Sequence, residues 1–371
     1  MRITRLSLFS LSLDSWSGES RYGPTQVLPA PVEANVVKLD TDQGLTGWGE
    51  SCTPPPYYLP TLAAGAREGI KHVAPLLVGA DPRRPRQIME SIRGAIRGHG
   101  PSKAAIDMAL WDLWGKLQDA PLVDLWGGRV VEDMPVLAMI SIGSPDETLE
   151  RVAAYRAQGY ALFQIKIGLG VAEDDIDKIR RVMADLRPGE RCWFDVNRGW
   201  TLDQAMQVLP RVAALGPLIE QPCETYRECK ILAERCGLGF MLDELIDGQE
   251  TMIRAALDGV MDVAVLKMGC TGGLSQHRHL VELGLRLAVP MRIEDFYGTG
   301  LTFAAVAHLA QGLPAAATFG LYDYHLPEAP LALNPLQVAR GRVSLPTDCG
   351  PGLGVEVNEA ILGAPLAVFE P

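Results

Sequence analysis

The first part of the chain contains short stretches in which polar and apolar residues alternate, a pattern typical of β-strands. Three such stretches lie within residues 1–60 and are separated by Gly, Pro and Asp turns: RITRLSLFSLSL, EANVVKLDT and GLTGWGES. Residues 61–119 instead place apolar side chains at the spacing of a helix, most regularly in SKAAIDMALWDLWGKLQ. A sheet followed by helices predicts an α+β domain.

From about residue 134 the pattern changes to β-rich runs that alternate with helical segments. There are eight such runs, at residues 135–143, 162–168, 192–197, 217–222, 239–244, 263–269, 289–295 and 315–320. Strands that alternate with helices at this spacing form parallel β/α units, and eight units favour a closed TIM-type barrel over an open sheet. No G-x-G-x-x-G or Walker motif follows the first run, so a nucleotide-binding sheet is the weaker interpretation. We therefore expect an α/β fold.

The composition is that of a globular protein, with 371 residues of which 47% are hydrophobic and 21% are charged. No apolar stretch approaches the ~20 residues of a membrane span, and the N-terminus alternates like a strand, so we expect a soluble, cytoplasmic protein without a membrane partner. The net charge of −11 without a basic cluster argues against nucleic acid as a partner. The seven cysteines form no C-x-x-C pair, so we expect neither disulfides nor a thiolate zinc site.

Charged residues stand near the ends of successive predicted barrel strands, which is where the active sites of such barrels lie. From the second strand to the sixth, they are Lys166, Asp195, Glu220, Asp243 and Lys267. Because the second and sixth strands of an eight-stranded ring are opposite, the two lysines are expected to face each other with the three carboxylates between them. A single charge of this kind is usually a structural ion pair, but five at matching positions favour an active site.

Three converging carboxylates repel one another unless a cation lies among them, and oxygen ligands without His or Cys select Mg²⁺, with Mn²⁺ as the alternative. Such a metal acts as a Lewis acid that stabilises the enediolate formed when a carboxylate loses its α-proton. A buried lysine close to other positive charge can lose its proton and serve as the base. We therefore assign the catalytic roles to Lys166 and Lys267, on opposite faces of a small carboxylate substrate.

Several motifs in the chain resemble those of the enolase superfamily, in particular the muconate-lactonizing-enzyme-like branch of the mandelate racemase group. They are GLTGWGES (44–51), AIDMALWDLWGKLQDAPLVDLWGG (105–128), FDVNRGW (194–200), IEQP (219–222), LDE (242–244), LKMGCTGGLSQ (266–276) and GPGLGVEV (350–357). The resemblance implies a capping domain over residues 1–128 and a (β/α)7β barrel over residues 129–325. It also implies that a C-terminal segment over residues 326–371 returns to the capping domain.

The same resemblance implies roles for the residues at the strand ends. Asp195, Glu220 and Asp243 fall on the metal-ligand motifs, and Gln164, Asn197 and Glu244 would orient those ligands. Enolase-superfamily sites use a Lys or His base together with one or two Mg²⁺ ions, which agrees with the chemistry expected of these residues.

Two positions depart from the family pattern. Many relatives carry Lys-x-Lys on the second strand, whereas this chain has Gln164 in place of the first lysine, so an additional cation beside the base is missing there. On the seventh strand either Glu294 or Asp295 could face the site, because the sequence does not fix the register of the strand. His277 and His279 follow the sixth strand, and we expect both to be exposed and without function.

Two turn-rich segments, residues 14–27 and 51–58, are expected to close over the mouth of the barrel as a lid. The side chains expected to contact the substrate come from these segments and from the end of the seventh strand: Trp16, Tyr22, Tyr57, Tyr58, Glu294, Asp295, Phe296 and Tyr297. Aromatic and acidic groups together suit an ammonium beside a compact apolar ring. The second strand also resembles the branch that processes hydroxyprolines and proline betaines, which favours an amino acid as the substrate.

Several reactions share the enediolate and remain open. We favour dehydration of a cis-3-hydroxyproline-like amino acid, in which the 3-hydroxyl is lost after the α-proton. The first alternative is a racemase or 2-epimerase of a proline derivative or another amino acid, since opposed lysines can deliver a proton to either face. A sugar-acid dehydratase or a cycloisomerase is a further alternative, although the mandelate racemase branch usually carries a His–Asp pair that this chain lacks. A non-catalytic barrel would have lost site residues piecemeal, and here all five are present. We expect a homo-oligomer.

Overall fold

The structure, a computed structural model, describes residues 1–13, 32–53, 58, 61–323 and 330–371. Of the expected substrate contacts, Trp16, Tyr22 and Tyr57 lie outside the described residues, together with segment 14–27 and residues 54–57 of segment 51–58. Their roles as lid and substrate contacts therefore stay predictions.

The described residues form thirteen strands, arranged in three sheets, and twelve α-helices. The strands are β1 (Ile3–Ser12), β2 (Glu33–Thr41), β3 (Thr46–Thr53), β4 (Met134–Pro135), β5 (Ala138–Ile140), β6 (Leu162–Lys166), β7 (Arg191–Asp195), β8 (Leu218–Glu220), β9 (Phe240–Leu242), β10 (Met261–Lys267), β11 (Met291–Glu294), β12 (Arg342–Val343) and β13 (Ala367–Phe369). The α-helices are α1 (Ala63–Val73), α2 (Pro85–Ala95), α3 (Gly100–Leu117), α4 (Leu122–Leu125), α5 (Pro145–Ala157), α6 (Ala172–Asp185), α7 (Leu202–Val212), α8 (Tyr226–Cys236), α9 (Gln249–Leu257), α10 (Met268–Thr271), α11 (Leu274–Leu287) and α12 (Gly300–Gln311).

The N-terminal strands form an antiparallel sheet in the order β13-β1-β2-β3. Alternate residues of one face, such as Leu6, Leu8, Val37 and Leu39, are buried in one apolar cluster with residues of α1, α2 and α3. The α+β region expected from the sequence is therefore present. The last strand of the chain, β13, pairs with β1 at the edge of this sheet.

Helix α3 is buried on most of its surface rather than along one stripe. The reason is that it lies against β3 on one side and against barrel residues on the other. A side chain on Gly47 or Gly49 of β3 would place its Cβ 2.3 Å from the carbonyl oxygen of Ala109 or 2.2 Å from that of Ala105, so glycine permits this close approach. No α-helix in the described parts of the chain is long and apolar enough to cross a membrane.

The second sheet is parallel and runs in sequence order from β5 to β11, with helices between successive strands. Its register brings the strand ends level with one another. Lys166 of β6 pairs with Asp195 of β7, Asp195 pairs with Glu220 of β8, and Lys267 of β10 pairs with Glu294 of β11. The expected α/β barrel is confirmed, and its register places these side chains at one mouth.

The eighth predicted strand, residues 315–320, is not a regular strand in the structure. Its first three residues form a single 3₁₀ turn, Ala315–Ala317. The barrel is closed instead by isolated parallel bridges, from Thr318 to Met291 of β11 and from Leu321 to Val136 beside β4. The prediction of a full strand is therefore wrong, although the segment closes the ring as expected.

An apolar cluster fills the barrel below the mouth. Its buried members are Leu137, Leu162, Trp193, Met241, Val263, Val265 and Phe319. Because side chains alternate along a strand, Leu162 shares the inward face of β6 with Lys166, and Trp193 shares that of β7 with Asp195. This plug excludes water from beneath the charged strand ends.

Two buried carboxylates attach the N-terminal region to the barrel at the beginnings of its last two long helices. Glu50 of β3 accepts hydrogen bonds from Thr299 N (2.7 Å), Thr299 Oγ1 (2.9 Å) and Thr302 N (2.8 Å) at the start of α12. Asp107 of α3 accepts from Ser275 N (2.6 Å) and Oγ (2.7 Å) at the start of α11. Carboxylates at helix N-termini satisfy free N–H groups and complement the helix dipole.

A third buried carboxylate, Asp112, joins three segments of the chain. It accepts hydrogen bonds from Trp48 N (2.8 Å), from Lys116 Nζ (2.7 Å) and from Leu353 N (2.9 Å). These donors belong to β3, to α3 and to the C-terminal segment. Asp112 is therefore the residue that holds the C-terminal segment against α3.

We expect Asp112→Asn to destabilise the protein, because an amide nitrogen replaces one of the oxygens that accept from these donors. A buried donor left without a partner costs about 1–3 kcal/mol, so the urea midpoint should fall accordingly. Glu68→Gln, in an exposed pair with Lys71, is the control and should change stability by less than about 0.5 kcal/mol. A D112N midpoint equal to that of the wild type would contradict the assignment.

Candidate active site

Lys166 ends β6 and points into the mouth of the barrel, with only 5% of its surface exposed. Its ammonium donates to Asp195 Oδ2 at 2.5 Å and to Asn197 Oδ1 at 2.7 Å. Asn197 N in turn donates to Asp195 Oδ1 at 2.9 Å. Lys166 is thus a buried group held between two side chains at the end of the next strand.

Gln164 lies two residues before Lys166 and on the same face of β6. Its amide nitrogen donates to Asp195 Oδ2 at 2.8 Å and to Glu220 Oε2 at 3.0 Å. A neutral amide therefore separates two carboxylates that would otherwise repel each other. The side chain is thus a hydrogen-bond partner of two of the three predicted metal ligands.

Arg292 of β11 was not among the residues predicted for the site. It is 1% exposed, and its guanidinium donates to both oxygens of Glu220, at 2.6 and 2.9 Å. It also contacts both oxygens of Glu294, at 3.0 Å through Nη2 and 2.8 Å through Nε. The sequence did contain a signal for it, because Arg292 and Glu294 must share one face of the strand.

Lys267, at the end of β10, lies among acceptors from three elements. Its ammonium donates to Asp243 Oδ2 and, at 2.7 Å, to Tyr58 Oη, and lies 3.3 Å from Glu294 Oε1. The Tyr58 hydroxyl donates to Asp243 Oδ2 at 2.8 Å. Burial alone would lower the pKa of Lys267, but the charges of Asp243 and Glu294 outweigh burial and raise it.

Three residues beside the strand ends adopt the left-handed backbone conformation although none is glycine. They are Asn197 (φ 45°), Arg198 (φ 63°) and Gln221 (φ 39°). Such conformations cost about 1–3 kcal/mol each and concentrate at functional sites. Gln221 Oε1 accepts from Asp243 N at 3.1 Å, and Asn197 Nδ2 donates to Glu244 Oε1 at 3.3 Å. Asn197 and Gln221 thereby connect three strand ends.

The side chains of Glu294 and Asp295, at the end of β11, point in different directions. Glu294 points inward to Arg292 and Lys267, whereas Asp295 accepts from Gly269 N (3.0 Å) and Phe296 N (2.9 Å). Burial raises the pKa of Asp295 to about 7, against the effect of those two hydrogen bonds. Both carboxylates are buried near the site, and Glu294 is the one in contact with a proposed base.

Aromatic rings cover Lys267. The ring of Tyr58 meets that of Phe296 edge to face, with centroids 5.4 Å apart. The Lys267 ammonium lies 5.0 Å from the Tyr58 centroid and 5.4 Å from that of Phe296. Tyr297, the next residue, is buried with 8% of its surface exposed. These rings form an apolar wall with π faces that can receive a cation.

The expectation that His277 is exposed is wrong. The residue is fully buried, and its Nδ1 lies 3.3 Å from Thr271 Oγ1. Burial lowers the pKa of the imidazole to about 3. The reason is visible in the helical spacing, because His277 shares the inner face of α11 with Leu274 and Val281. His279 is exposed, as expected.

The chemistry of the site suits a hard divalent cation. Within the part of the chain that the structure describes, no hydrogen-bond partner is found for the buried oxygens Asp243 Oδ1 and Glu244 Oε2, and burial of acceptors without partners is costly. The network joins Asp195, Glu220, Asp243, Glu244 and Glu294 to two lysines and two arginines. With one lysine neutral, as a base must be, that network carries two net negative charges.

In the structure, lysine and arginine side chains bind the carboxylate oxygens directly. Among the described residues, no group of three or more His, Cys, Asp or Glu is arranged as a ready metal site. Ligation of a metal by Asp195, Glu220 and Asp243 therefore stays a prediction that rests on the donor set and its charge.

A parallel barrel with an antiparallel capping sheet and alternating acidic and basic strand ends defines an enzyme of the enolase superfamily. Residues 30–127 match the family model for the mandelate racemase / muconate lactonizing enzyme N-terminal domain, and residues 147–361 match the enolase C-terminal domain-like model. The chain belongs to the mandelate racemase / muconate lactonizing enzyme family, as the sequence motifs indicated.

Individual relatives are similar over the whole chain. A cis-3-hydroxy-L-proline dehydratase from Roseibium aggregatum is 36% identical over 374 residues, which cover 100% of both proteins. An N-succinyl-L-Arg/Lys racemase from Bacillus cereus is 26% identical, and the match covers 100% of this chain and 99% of the racemase. A solved enolase-superfamily protein from Roseovarius nubinhibens, complexed with magnesium, has a TM-score of 0.93 and 34% identity, with 100% of each chain covered. A lyase or an isomerase is the class of enzyme that fits these relatives.

We expect Gln164→Glu to destabilise the site, because it adds a carboxylate of the same shape against Asp195 and Glu220. A buried charge without compensation costs about 3–5 kcal/mol, so with a chelator present the free energy of unfolding should fall by about 3 kcal/mol or more. Urea unfolding measures this, with Gln337→Glu on the surface as the control. If Q164E unfolded at the wild-type urea concentration, the amide would not be what separates the two carboxylates.

Proposed function

We propose that this enzyme dehydrates a cis-3-hydroxyproline-like amino acid by removing its α-proton through an enediolate. The observation that carries the proposal is the pair of buried lysines at the ends of β6 and β10, with Asp195, Glu220 and Asp243 on the strands between them. The full-length similarity to a cis-3-hydroxy-L-proline dehydratase supports the choice of substrate.

The divalent cation, Mg²⁺ with Mn²⁺ as an alternative, would be held by Asp195, Glu220 and Asp243, with Asn197 and Glu244 orienting these ligands. When bound there, it supplies positive charge that stabilises the enediolate and opposes the carboxylates that hold protons on the lysines. The unpartnered Asp243 oxygen and the magnesium complex of a similar enzyme support this assignment.

The chemical step needs one lysine as base. Lys166 or Lys267, in its neutral form, takes the α-proton, and the electron pair of the broken C–H bond moves into the substrate carboxylate. The 3-hydroxyl then leaves as water with a proton returned by the lysine ammonium, and the electron pair moves back from the carboxylate to form the C2–C3 double bond. The substrate therefore loses one water, and no oxidant or reductant is required.

The substrate ammonium would lie against the aromatic wall and the acidic groups at the end of β11. Tyr58 and Phe296 present ring faces, Tyr297 continues the wall, and Glu294 and Asp295 supply negative charge. Cation–π and ion-pair contacts of this kind are suited to a cyclic amino acid. Trp16, Tyr22 and Tyr57 are proposed to complete this surface from the lid.

A racemase or 2-epimerase of a proline derivative is the second candidate. It is favoured by the same two lysines, because strands β6 and β10 lie on opposite sides of the ring and can serve opposite faces of one carbon. The similarity to an amino-acid racemase from Bacillus cereus supports this candidate. The two reactions differ only in whether the β-carbon carries a leaving group.

The metal assignment predicts that Asp195→Asn, Glu220→Gln and Asp243→Asn weaken Mg²⁺ binding. Loss of a residue that only orients a ligand typically costs about 10–100-fold in affinity, so loss of a ligand should cost at least that much. Calorimetric titration measures the affinity, and Glu234→Gln, on the exposed face of α8, is the control. Unchanged affinity in D195N and E220Q would refute the metal site.

The reaction itself is tested by NMR in deuterium oxide with prolines, hydroxyprolines, betaines, dipeptides and sugar acids. We expect loss of water from cis-3-hydroxyproline, and exchange of the α-proton in substrates that lack the hydroxyl. Because a general base contributes about 10²–10⁴-fold, Lys166→Ala and Lys267→Ala should lower these rates by that factor.

The exposed Lys230→Ala serves as the control for the two lysine variants. Full exchange of both enantiomers by both active-site variants would rule out the lysines as bases. Activity confined to dipeptides or sugar acids would rule out the proline-like substrate and leave the lysine roles in place.

A further inference from the structure

Arg292 lies inside the barrel, between the predicted metal ligand Glu220 and the neighbour of Lys267, Glu294. Its guanidinium is stacked above the apolar plug, 5.5 Å from the centroid of Trp193. It contacts two carboxylates, Glu220 and Glu294, through both oxygens of each. No step of the proposed chemistry uses it, yet removing it would leave two buried carboxylates without their main partner.

The hydrogen bonds of Glu220 show what Arg292 does to that side chain. Oε1 accepts from Arg292 Nη2 at 2.6 Å, and Oε2 accepts from Arg292 Nη1 at 2.9 Å and from Gln164 Nε2 at 3.0 Å. A carboxylate offers about four acceptor positions, so three are already filled. The remaining position is on Oε1, which is therefore the oxygen that can face a cation.

Glu294 connects Arg292 to Lys267. Arg292 holds both oxygens of Glu294, and Glu294 Oε1 lies 3.3 Å from Lys267 Nζ. The orientation of Lys267 is thereby linked, through one guanidinium, to the orientation of Glu220. A lysine at position 292 would keep the charge but could not form two forked contacts at once, because its ammonium lacks the planar arrangement of donors.

We propose that Arg292 is a positioning residue that sets both the metal-binding oxygen of Glu220 and the ammonium of Lys267. The inference rests on the proposed function, because it assigns Glu220 to the metal and Lys267 to proton transfer. Arg292 acts through these two residues and does not itself contact the substrate.

The experiment compares Arg292→Lys with Arg156→Lys. Arg156 on α5 is a suitable control, because its partly buried guanidinium also contacts two carboxylates, Glu190 and Asp185, at the opposite end of β7 from the mouth. We expect R292K to weaken Mg²⁺ binding about 10–100-fold by calorimetry. R156K should bind Mg²⁺ with wild-type affinity, even if its melting temperature falls as much as that of R292K.

Glu294→Gln is the second variant of the experiment. In this variant Arg292 can still form its contacts with Glu220. We expect Mg²⁺ affinity within threefold of wild type, together with at least tenfold slower exchange of the α-proton on the face that Lys267→Ala affects. If R292K failed to fold, this E294Q result would still support the link from Arg292 through Glu294 to Lys267.

Three outcomes separate the possibilities. A folded R292K with wild-type Mg²⁺ affinity would overturn the role of Arg292 at Glu220. Wild-type exchange on both faces in E294Q would overturn its role at Lys267. A wild-type protein without measurable Mg²⁺ binding would instead overturn the proposed metal site, from which the inference starts.

Discussion

The pairing of buried charges at the mouth of the barrel is the constraint on which the site depends. Ions removed from water are tolerated only when each has a partner of opposite charge and its hydrogen bonds are satisfied. A continuous series of contacts gives each of these ions a partner of opposite charge from one lysine to the other: Lys166, Asp195, Gln164, Glu220, Arg292, Glu294 and Lys267. A movement of any one of these seven side chains would disturb the contacts of its neighbour in the series.

The apolar plug makes this pairing compulsory. Trp193 and Met241 lie on the inward faces of the strands that carry Asp195 and Asp243, so water cannot reach the carboxylates from below. In a poorly hydrated site, contacts between ions are stronger and unpaired ions are more costly. The same alternation of side chains thus produces both the apolar base of the barrel and its charged mouth.

Most of the site could be predicted because it follows from strand order and register. Lys166, Asp195 and Glu220 end consecutive parallel strands, and the register puts them side by side. Arg292 was missed because one basic residue within an apolar strand says nothing about its partners, although its spacing from Glu294 gave its face. The eighth strand was overestimated because the alanine-rich run has the apolar character of a strand and forms a turn instead.

The capping region contributes to the site through its attachment to the barrel. Glu50 fixes β3 against the start of α12, and Asp112 fixes Trp48 of β3 against α3. Tyr58 follows β3 in the chain, and its hydroxyl reaches both Lys267 and Asp243. Tyr58 is therefore a contact between the N-terminal region and a proposed base, although β3 itself lies outside the barrel. Tyr58 therefore has two roles. It joins the N-terminal region to the barrel, and it positions a proposed base and a predicted metal ligand.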